Sequence, residues 1–478
     1  MSREPDLHRL FQPATIAVAG ASARRANFAN RYIRQLRRFG FAGRIHAIHP
    51  TAAEVEGEPA CASLADLPET VDYAYVAVPA AAAVELLAEG AGKVRFAQVM
   101  SSGFAETADG AELERRLVEA ARAGGARLVG PNCLGTYCPA ARVTFIEGAP
   151  AEPGAIGFAS QSGGLAVDVL RSGGARGLRF SSLVTSGNSA DLAPHDFLDH
   201  YVRDPQTAVI GMYLEQVGDG PRLFEALRRL GGAKPVVLLK GGSTATGGRA
   251  ASSHTGAIAS DQRAWRALAR QTGVMLVETL AEMLDLLVLL QAPAPARTAP
   301  TERAILIGNG GGASVLGADA ADRAGLSLPP TGAATLARLS ELRLPPGTSV
   351  ANPIDLPGGT LQREEGGQVA EILRILADGE RPDALVLHLN VSVLLNAIAD
   401  GELVMRRCLE ALARTEAPGA RRLVVLRRDG HPESAPATRE LSARAAAAGL
   451  PVFAEIEDAL AALGHAAAWE RWRARRGR

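Results

Sequence analysis

Residues 235–260 read PVVLLKGGSTATGGRAASSHTGAIAS, an apolar run followed by a stretch rich in glycine, serine, threonine and alanine. Such a run, stopping abruptly at glycine, predicts a buried strand that ends in a loop. In open α/β sheets the carboxyl ends of the strands form the edge where ligands bind. His254 stands in this loop with little apolar bulk around it, so its imidazole can serve as a nucleophile, a base or a metal ligand. The alternative is that His254 is one of nine histidines and lies in an ordinary surface loop.

Length and charge limit the classes of protein that this chain can be. A length of 478 residues corresponds to about three domains. The 51 basic and 51 acidic residues give a formal net charge of zero, so we expect no nucleic-acid partner and no membrane partner. Small-molecule partners are favoured instead. Only Lys93, Lys234 and Lys240 are lysines among the basic residues, which we attribute to compositional bias.

The cysteines and the amino-terminal residues predict a soluble protein of the reducing cytoplasm. Cys133 and Cys138 form the one close pair, and their spacing fits neither a C-x-x-C redox motif nor a zinc site. We therefore expect this chain to bind no metal. The first residues, MSREPDLHRLFQPATIAVAG, lack the basic and apolar segments of a signal peptide. The sequence also lacks an uncharged apolar stretch of about 18 residues, so we predict no transmembrane helix.

Residues 1–145 alternate between strand and helix patterns, which predicts a Rossmann-like domain with a parallel sheet. The first strand, TIAVAG, leads into the turn GASARRANFAN and then into a helix whose first amides can receive a phosphate. This turn has one glycine where the dinucleotide fingerprint has three, so an NAD site is weakly supported. Small or turn-forming residues follow the later strands, and they leave room for an extended ligand along one sheet edge. Each such exit, taken alone, is equally typical of an ordinary turn.

Residues 150–292 predict a second α/β domain with an anion site. The segment ASQSGG lies between a predicted strand and a predicted helix, where serine hydroxyls and free amides meet the positive end of the helix dipole. Its spacing matches neither the P-loop nor the G-x-S-x-G elbow. Glu215 ends the apolar strand that precedes the strand leading to His254. A carboxylate there can orient the imidazole, unless it is simply a solvated charge at a strand end.

Residues 301–478 repeat part of this plan after a proline-rich linker, QAPAPARTAPTE. The segment AILIGNGGG again places a strand before a glycine turn and a helix, which indicates a second copy of the module. Residues 350–355 and three later segments predict further strands. This region has no equivalent of SSHTGA, and His388 lies within an apolar strand. We expect a scaffold or an interface here, with His388 in the core.

Several motifs, taken in order, resemble those of the NDP-forming acyl-CoA synthetases, the superfamily of succinyl-CoA synthetase and ADP-forming acetate–CoA ligase. These motifs are VAGAS, VAVPA, SSGFAE, GPNCLG, ASQSGG, SGNSADL, MYLE, SSHTGA, NGGGASVLGADAADRAGL and NPIDL. Each is weak alone, but together they cover nearly the whole chain. The resemblance implies a Rossmann-like CoA-binding domain followed by two flavodoxin-like domains, the first of which carries a phosphorylated histidine.

Site residues follow from this resemblance position by position. It implies that His254 is the phosphorylated residue and that Glu215 is its carboxylate partner. The phosphoryl group is expected at Ser160, Ser162, Gly163 and Gly164, and CoA is expected along Gly20, Ser22, Pro50, Val78, Pro79, Ser102 and Asn132, with Asn132 near the thiol end. The first turn departs from the glycine-rich family pattern, and Arg24 or Arg25 can compensate there.

The resemblance also implies the reaction and a partner. An acid, CoA and a nucleoside triphosphate give acyl-CoA, a nucleoside diphosphate and phosphate, through a phosphohistidine. No ATP-grasp segment is recognisable in the sequence, so ATP or ADP and Mg²⁺ are expected on a separate ATP-grasp β-type subunit. Two alternatives stay open: a non-catalytic CoA-binding or regulatory protein of the same fold, and an NAD-dependent oxidoreductase.

Overall fold

The computed structural model describes residues 6–249, 261–293, 299–427 and 432–476. The chain divides into two compact units, Met1–Thr279 and Leu280–Arg478. The first unit holds a seven-stranded and a six-stranded sheet, and the second unit holds a five-stranded sheet. Residues 1–279 of the first two predicted domains thus lie in one unit and residues 280–292 lie in the other. The predicted division into residues 1–145, 150–292 and 301–478 stays a prediction.

Seven strands form the first sheet of the first unit. They are β1 (Thr15–Ala19), β2 (Arg44–Ile48), β3 (Glu54–Val55), β4 (Glu58–Cys61), β5 (Val71–Val76), β6 (Val94–Val99) and β7 (Arg127–Val129). Their order is β3-β4-β2-β1-β5-β6-β7, with β3 and β4 antiparallel and the other pairs parallel. Every residue of β5 is buried, as expected for a central strand covered on both faces.

The second sheet of this unit includes one strand from before the predicted boundary. Its strands are β8 (Thr136–Tyr137), β9 (Ile156–Ser160), β10 (Phe180–Thr185), β11 (Val209–Leu214), β12 (Val236–Lys240) and β13 (Met275–Val277). The order is β13-β12-β11-β9-β10-β8, and β8 runs antiparallel to β10. One core cluster contains residues of both sheets, for example Ile16 and Ile210. Shared burial therefore fixes the two sheets relative to each other.

Helices cover these sheets and begin near the carboxyl ends of the strands. They are α1 (His8–Phe11), α2 (Phe28–Phe39), α3 (Ala80–Glu89), α4 (Ala111–Ala123), α5 (Gly163–Asp168), α6 (Pro194–Arg203), α7 (Gly220–Leu230) and α8 (Gln262–Thr272). Helix α5 continues through a π-helical turn, Val169–Gly173. Helix α2 ends at Gly40, whose φ of 96° is a left-handed cap that favours glycine.

The second unit has an all-parallel sheet. Its strands, in the order β15-β14-β16-β17-β18, are β14 (Ala304–Gly308), β15 (Ile354–Asp355), β16 (Ala384–Asn390), β17 (Arg421–Arg427) and β18 (Val452–Phe453). The helices are α9 (Leu280–Gln291), α10 (Gly311–Arg323), α11 (Ala333–Glu341), α12 (Gly358–Leu361), α13 (Gly367–Glu380), α14 (Val391–Ala397), α15 (Gly401–Arg414), α16 (Ala435–Ala447) and α17 (Ile456–Arg476).

Two details of the second unit bear on the sequence predictions. His388 is 5% exposed, and burial lowers its pKa to about 4, so it is a neutral core residue as predicted. The strand predicted over residues 350–355 is shorter than expected and covers only Ile354–Asp355. The Asn352 side chain accepts a hydrogen bond from the Leu306 amide at 3.1 Å and donates one to the Ala304 carbonyl at 2.9 Å. A side chain thus replaces the strand ladder at this point.

Candidate active site

The predicted CoA-binding residues lie along the carboxyl edge of the first sheet. Strands β2, β1, β5, β6 and β7 are consecutive and parallel, so the residues that follow them meet at one edge. These residues are Pro50 after β2, Gly20 and Ser22 after β1, Val78 and Pro79 after β5, Ser102 after β6 and Asn132 after β7. All seven are at least partly exposed. The fold therefore brings together every residue predicted to contact CoA.

The turn after β1 is held by side chains where the dinucleotide fingerprint has glycines. Gly20 has a φ of 98°, and a Cβ there would lie 2.2 Å from the Ala77 carbonyl oxygen, so glycine is required. Asn27 donates to the Gly20 carbonyl at 2.8 Å and accepts the Asn30 amide as the N-cap of α2. Asn30 bonds both the amide and the carbonyl of Ser22, each at 2.9 Å. Two asparagines thus fix a turn that retains only one of the fingerprint's three glycines.

The predicted phosphate turn lies between β9 and α5. Ser162 is the N-cap of α5, and its hydroxyl accepts the Leu165 amide at 3.3 Å. The Ser160 hydroxyl is buried and bonds within the turn, donating to the Ser162 carbonyl at 2.7 Å and accepting the Ser162 amide at 3.1 Å. Gly164 is exposed, and no heavy atom lies within 4 Å of where its Cβ would stand. The open side of this turn is therefore at Gly164, whereas Leu134 lies against Gly163 and Ser160 has a structural part.

Glu215 is held beside the phosphate turn by Gln161. Strand β11 lies next to β9, with Tyr213 opposite Ser160. The Gln161 side-chain oxygen accepts the amide of Glu215 at 2.6 Å and that of Gln216 at 2.9 Å. The Tyr213 hydroxyl donates to the Glu215 carboxylate at 3.1 Å, and burial raises the pKa of that hydroxyl so that it stays protonated. One buried glutamine therefore ties the predicted carboxylate to the predicted anion turn.

Lys240 ends β12, and residues 245–249 are helical, so this part of the predicted loop is wrong. Lys240 is 7% exposed, and its ammonium donates to the carbonyls of Glu215, at 2.9 Å, and of Gly241. Burial lowers the pKa of this ammonium, while the charge of Glu215 opposes the shift. The Trp265 ring lies 5.7 Å from the nitrogen. His254 itself lies outside the described residues, so its predicted role stays a prediction.

A polar network connects the two sheets at the predicted thiol end of CoA. Asn188 donates to the carboxylates of Glu106, at 2.6 Å, and Glu114, at 2.8 Å. Glu106 also accepts the Gly103 amide at 2.5 Å. Burial alone would raise the pKa of Glu106, but these hydrogen bonds outweigh it and lower the pKa. Asn132, with a φ of 59°, lies 3.5 Å from Asn188. The SSGFAE, GPNCLG and SGNSADL motifs thus meet.

Comparison with known proteins agrees with this geometry. A model of the CoA binding domain matches residues 14–139, and a model of the succinyl-CoA ligase like flavodoxin domain matches residues 153–290. The alpha subunit of acetate–CoA ligase [ADP-forming] I from Pyrococcus furiosus is 30% identical over 482 residues, which cover 98% of this chain and 99% of that protein. The chain belongs to the family of the ADP-forming acetate–CoA ligases.

Two further members of this family resemble the chain. Acetate–CoA ligase [ADP-forming] I from Archaeoglobus fulgidus is 36% identical over 403 residues, covering 84% of this chain but 57% of that protein. The chain thus spans little more than half of that relative. The structure of acetyl-coenzyme A synthetase 1 from Candidatus Korarchaeum cryptofilum, in complex with phosphate and ADP, aligns with a TM-score of 0.82 at 30% identity and covers 98% of this chain and 97% of its own. The predicted family and the predicted α/β fold class are confirmed.

In the part of the chain that the structure describes, no group of three or more histidine, cysteine, aspartate or glutamate side chains is placed to hold a metal ion. No helix among residues 6–249, 261–293, 299–427 and 432–476 is long and apolar enough to cross a membrane.

Sequence reasoning missed Gln161, Lys240 and the network around Asn188. Gln161 lies within the ASQSGG motif, where the sequence indicates only serine hydroxyls and backbone amides as ligands of an anion. Recognising its role required knowing that β9 and β11 are adjacent. Lys240 carried a usable signal, since it is one of three lysines in a chain whose other basic residues are arginines.

Proposed function

We propose that this chain is the α-type subunit of an NDP-forming acyl-CoA synthetase that works through a phosphohistidine at His254. Its main support is the Gln161 contact, because it holds the Glu215 backbone and the turn at Ser162 together at 2.6 Å and 2.9 Å. Strand β12, which leads to His254, lies next to β11 and Glu215. An anion site, a carboxylate and the start of the histidine loop are thereby neighbours.

The chemistry proceeds in three exchanges when written from acyl-CoA. A phosphate oxygen attacks the thioester carbonyl, the carbon–sulfur bond breaks, and CoA leaves as an acyl phosphate forms. His254 then attacks phosphorus, and the acid leaves as a carboxylate. Finally the β-phosphate of a nucleoside diphosphate takes the phosphoryl group and frees the imidazole. Each exchange conserves a bond of high transfer energy, so substrate concentrations set the direction.

The residues of this chain have separate parts in these exchanges. The amides around Ser162, Gly163 and Gly164 bind the phosphoryl oxygens at the amino end of the helix, where the dipole favours negative charge. Glu215 orients the imidazole and stabilises its phosphorylated form. CoA lies along the strand exits from Pro50 to Asn132, and the close approach of backbone at Gly20 suits its phosphates. Arg24 and Arg25, both exposed, lie in the same turn.

We further propose that ATP or ADP and Mg²⁺ bind to a separate ATP-grasp β-type subunit. The chain matches a protein named subunit alpha over 99% of its length, whereas it covers 57% of a longer relative. The small carboxylic acid and CoA are then the substrates on this chain. Nucleotide-dependent ligase activity of the chain without a second subunit would contradict this arrangement.

Labelling tests the phosphohistidine. Because the first two exchanges use groups of this chain only, an acyl-CoA with radiolabelled phosphate should give an acid-labile, base-stable label on the protein. Mixing with the β-type subunit and γ-labelled ATP should give the same label from the other direction. His254→Ala is expected to abolish both labels, and a label that survives this substitution removes His254 from the mechanism. A protein that binds CoA but never takes up phosphate would be a binding module instead.

A further inference from the structure

A pocket of about 230 Å³ opens between α2 and α5 in the first unit. Its wall includes the aromatic and apolar side chains of Phe28, Tyr32, Tyr75, Met100, Leu134 and Phe145, together with the polar side chain of Gln35. The charged residues that line it, Arg31, Glu147 and Arg171, are all exposed. Charge therefore lies at the rim of the pocket, and the interior combines apolar and aromatic side chains with the buried polar groups of Gln35 and Tyr32.

This pocket lies between the proposed CoA edge and the proposed phosphate turn. Leu134 follows Asn132 by two residues, and a Cβ added to Gly163 would lie 2.7 Å from the Leu134 Cγ atom. Val167, on the helix that Ser162 caps, forms part of the wall. Phe28 is the first residue of α2, directly after Asn27, which holds the Gly20 carbonyl. A group bound here is therefore close to the proposed position of the thioester and to the proposed position of the phosphate.

The interior is preorganised and uncharged. The Tyr32 and Tyr75 rings stack with centroids 4.0 Å apart and planes at 10°. The Tyr75 hydroxyl lies 3.0 Å from the Met100 sulfur, and burial raises the pKa of both tyrosines. Phe28, by contrast, is 63% exposed at the mouth, an unusual position for so large an apolar side chain. An apolar ligand entering the pocket would cover this ring.

We propose that this pocket holds the acyl group of the substrate, and that the acid is an aryl or medium-chain carboxylate larger than acetate. The inference rests on the proposed function, because it takes the thioester carbonyl to lie between CoA and the phosphate turn. An apolar cavity of about 150 Å³ is enough to accept benzene, and this pocket is larger. A methyl group alone would fill only a small part of this volume. The exposed Phe28 ring at the mouth can cover a flat or extended apolar chain.

Calorimetric titration of this chain with phenylacetyl-CoA, acetyl-CoA and CoA tests the proposal without a second subunit. We expect phenylacetyl-CoA to bind at least about 10-fold more tightly than acetyl-CoA, since each methylene in an apolar pocket contributes about 10-fold or more. Val167→Phe fills the pocket from a partly exposed helix position and should remove this preference while leaving CoA affinity within about twofold. Val118→Phe, a partly buried valine on α4 that does not line the pocket, is the matched control and should change nothing.

Phe28→Ala gives a second variant that does not endanger folding, because the ring is mostly exposed. It should weaken phenylacetyl-CoA binding about threefold or more, with acetyl-CoA unchanged. Equal affinity for the two thioesters, or an equal loss for both in Val167→Phe, overturns the pocket assignment. Labelling of His254 is measured in parallel: a normal label with equal affinities refutes the pocket alone, whereas a missing label with the expected affinities refutes the ligase mechanism alone.

Discussion

Replacing Gln161 with leucine should separate the carboxylate from the phosphate turn. The change preserves side-chain bulk but removes the oxygen that accepts two main-chain amides, at 2.6 Å and 2.9 Å. Gln161 is 7% exposed, so water has little access to replace that oxygen. A buried donor left without a partner costs about 1–3 kcal/mol. We therefore expect the free energy of unfolding to fall by about 2–5 kcal/mol, and Glu215 to shift away from the turn at Ser162.

That shift should appear in phosphorylation as well as in stability. A displacement of about 1 Å at a reacting centre lowers rates by about 100-fold, so labelling from acyl-CoA and phosphate should slow to that extent at a temperature where the variant is folded. Tyr201→Phe is the control, since it deletes a buried hydrogen bond of 2.9 Å to the carbonyl of Phe158 on β9, the strand that ends just before Gln161. It should lower the free energy of unfolding by about 1 kcal/mol without slowing phosphate labelling. Wild-type labelling by Gln161→Leu, or an equal loss in Tyr201→Phe, would refute a positioning role for Gln161.

Other substitutions test the junction of the two sheets and the exit of β12. Asp191 has a fully buried carboxylate bound to Arg122 and Arg127. Burial alone would raise the pKa of Asp191, but these contacts and the Leu128 amide hold it below its ordinary value. Asp191→Asn should lower the free energy of unfolding by about 3 kcal/mol, measured with urea at pH 7. Since the folded pKa is the lower one, the carboxylate stabilises fully above the unfolded pKa of about 4, and the gap between wild type and variant should shrink as the pH falls below that value; a gap that widens would contradict the ion pairs. Lys240→Arg should lower the free energy of unfolding by about 1–3 kcal/mol through overpacking, measured by thermal melting, and should also slow the uptake of labelled phosphate. An unchanged melting temperature would show that the site accepts a guanidinium.

The position of the strand exits could be predicted, because the carboxyl ends of parallel strands lie at the same edge of a sheet. Pro50, Ser102 and Asn132 were placed at one edge from sequence alone, and the observed strand order brings them there. Contacts between strands that are distant in sequence were not predictable, and Gln161 depends on one, since β11 joins β9 rather than β10. The roles of Asn27 and Asn30 in the first turn were likewise not predicted, because the bond from Asn27 to the Gly20 carbonyl exists only in the folded turn.

The near-complete replacement of lysine by arginine makes the remaining lysines informative. Each of the three donates to backbone carbonyls: Lys93 to Leu67 at 2.6 Å, Lys234 to Tyr201 and Asp204 at 2.7 Å and 2.6 Å, and Lys240 to Glu215 and Gly241. Arginine makes the same kind of contact elsewhere, since the Arg422 guanidinium donates to the carbonyls of Leu412, Ala413 and Thr415. Donation to carbonyls therefore does not distinguish lysine from arginine in this chain, whereas burial does distinguish the three lysines. Lys240 is the most buried of the three, and it is the one beside Glu215, so the demand for an exact fit falls at the exit of the strand that leads to His254.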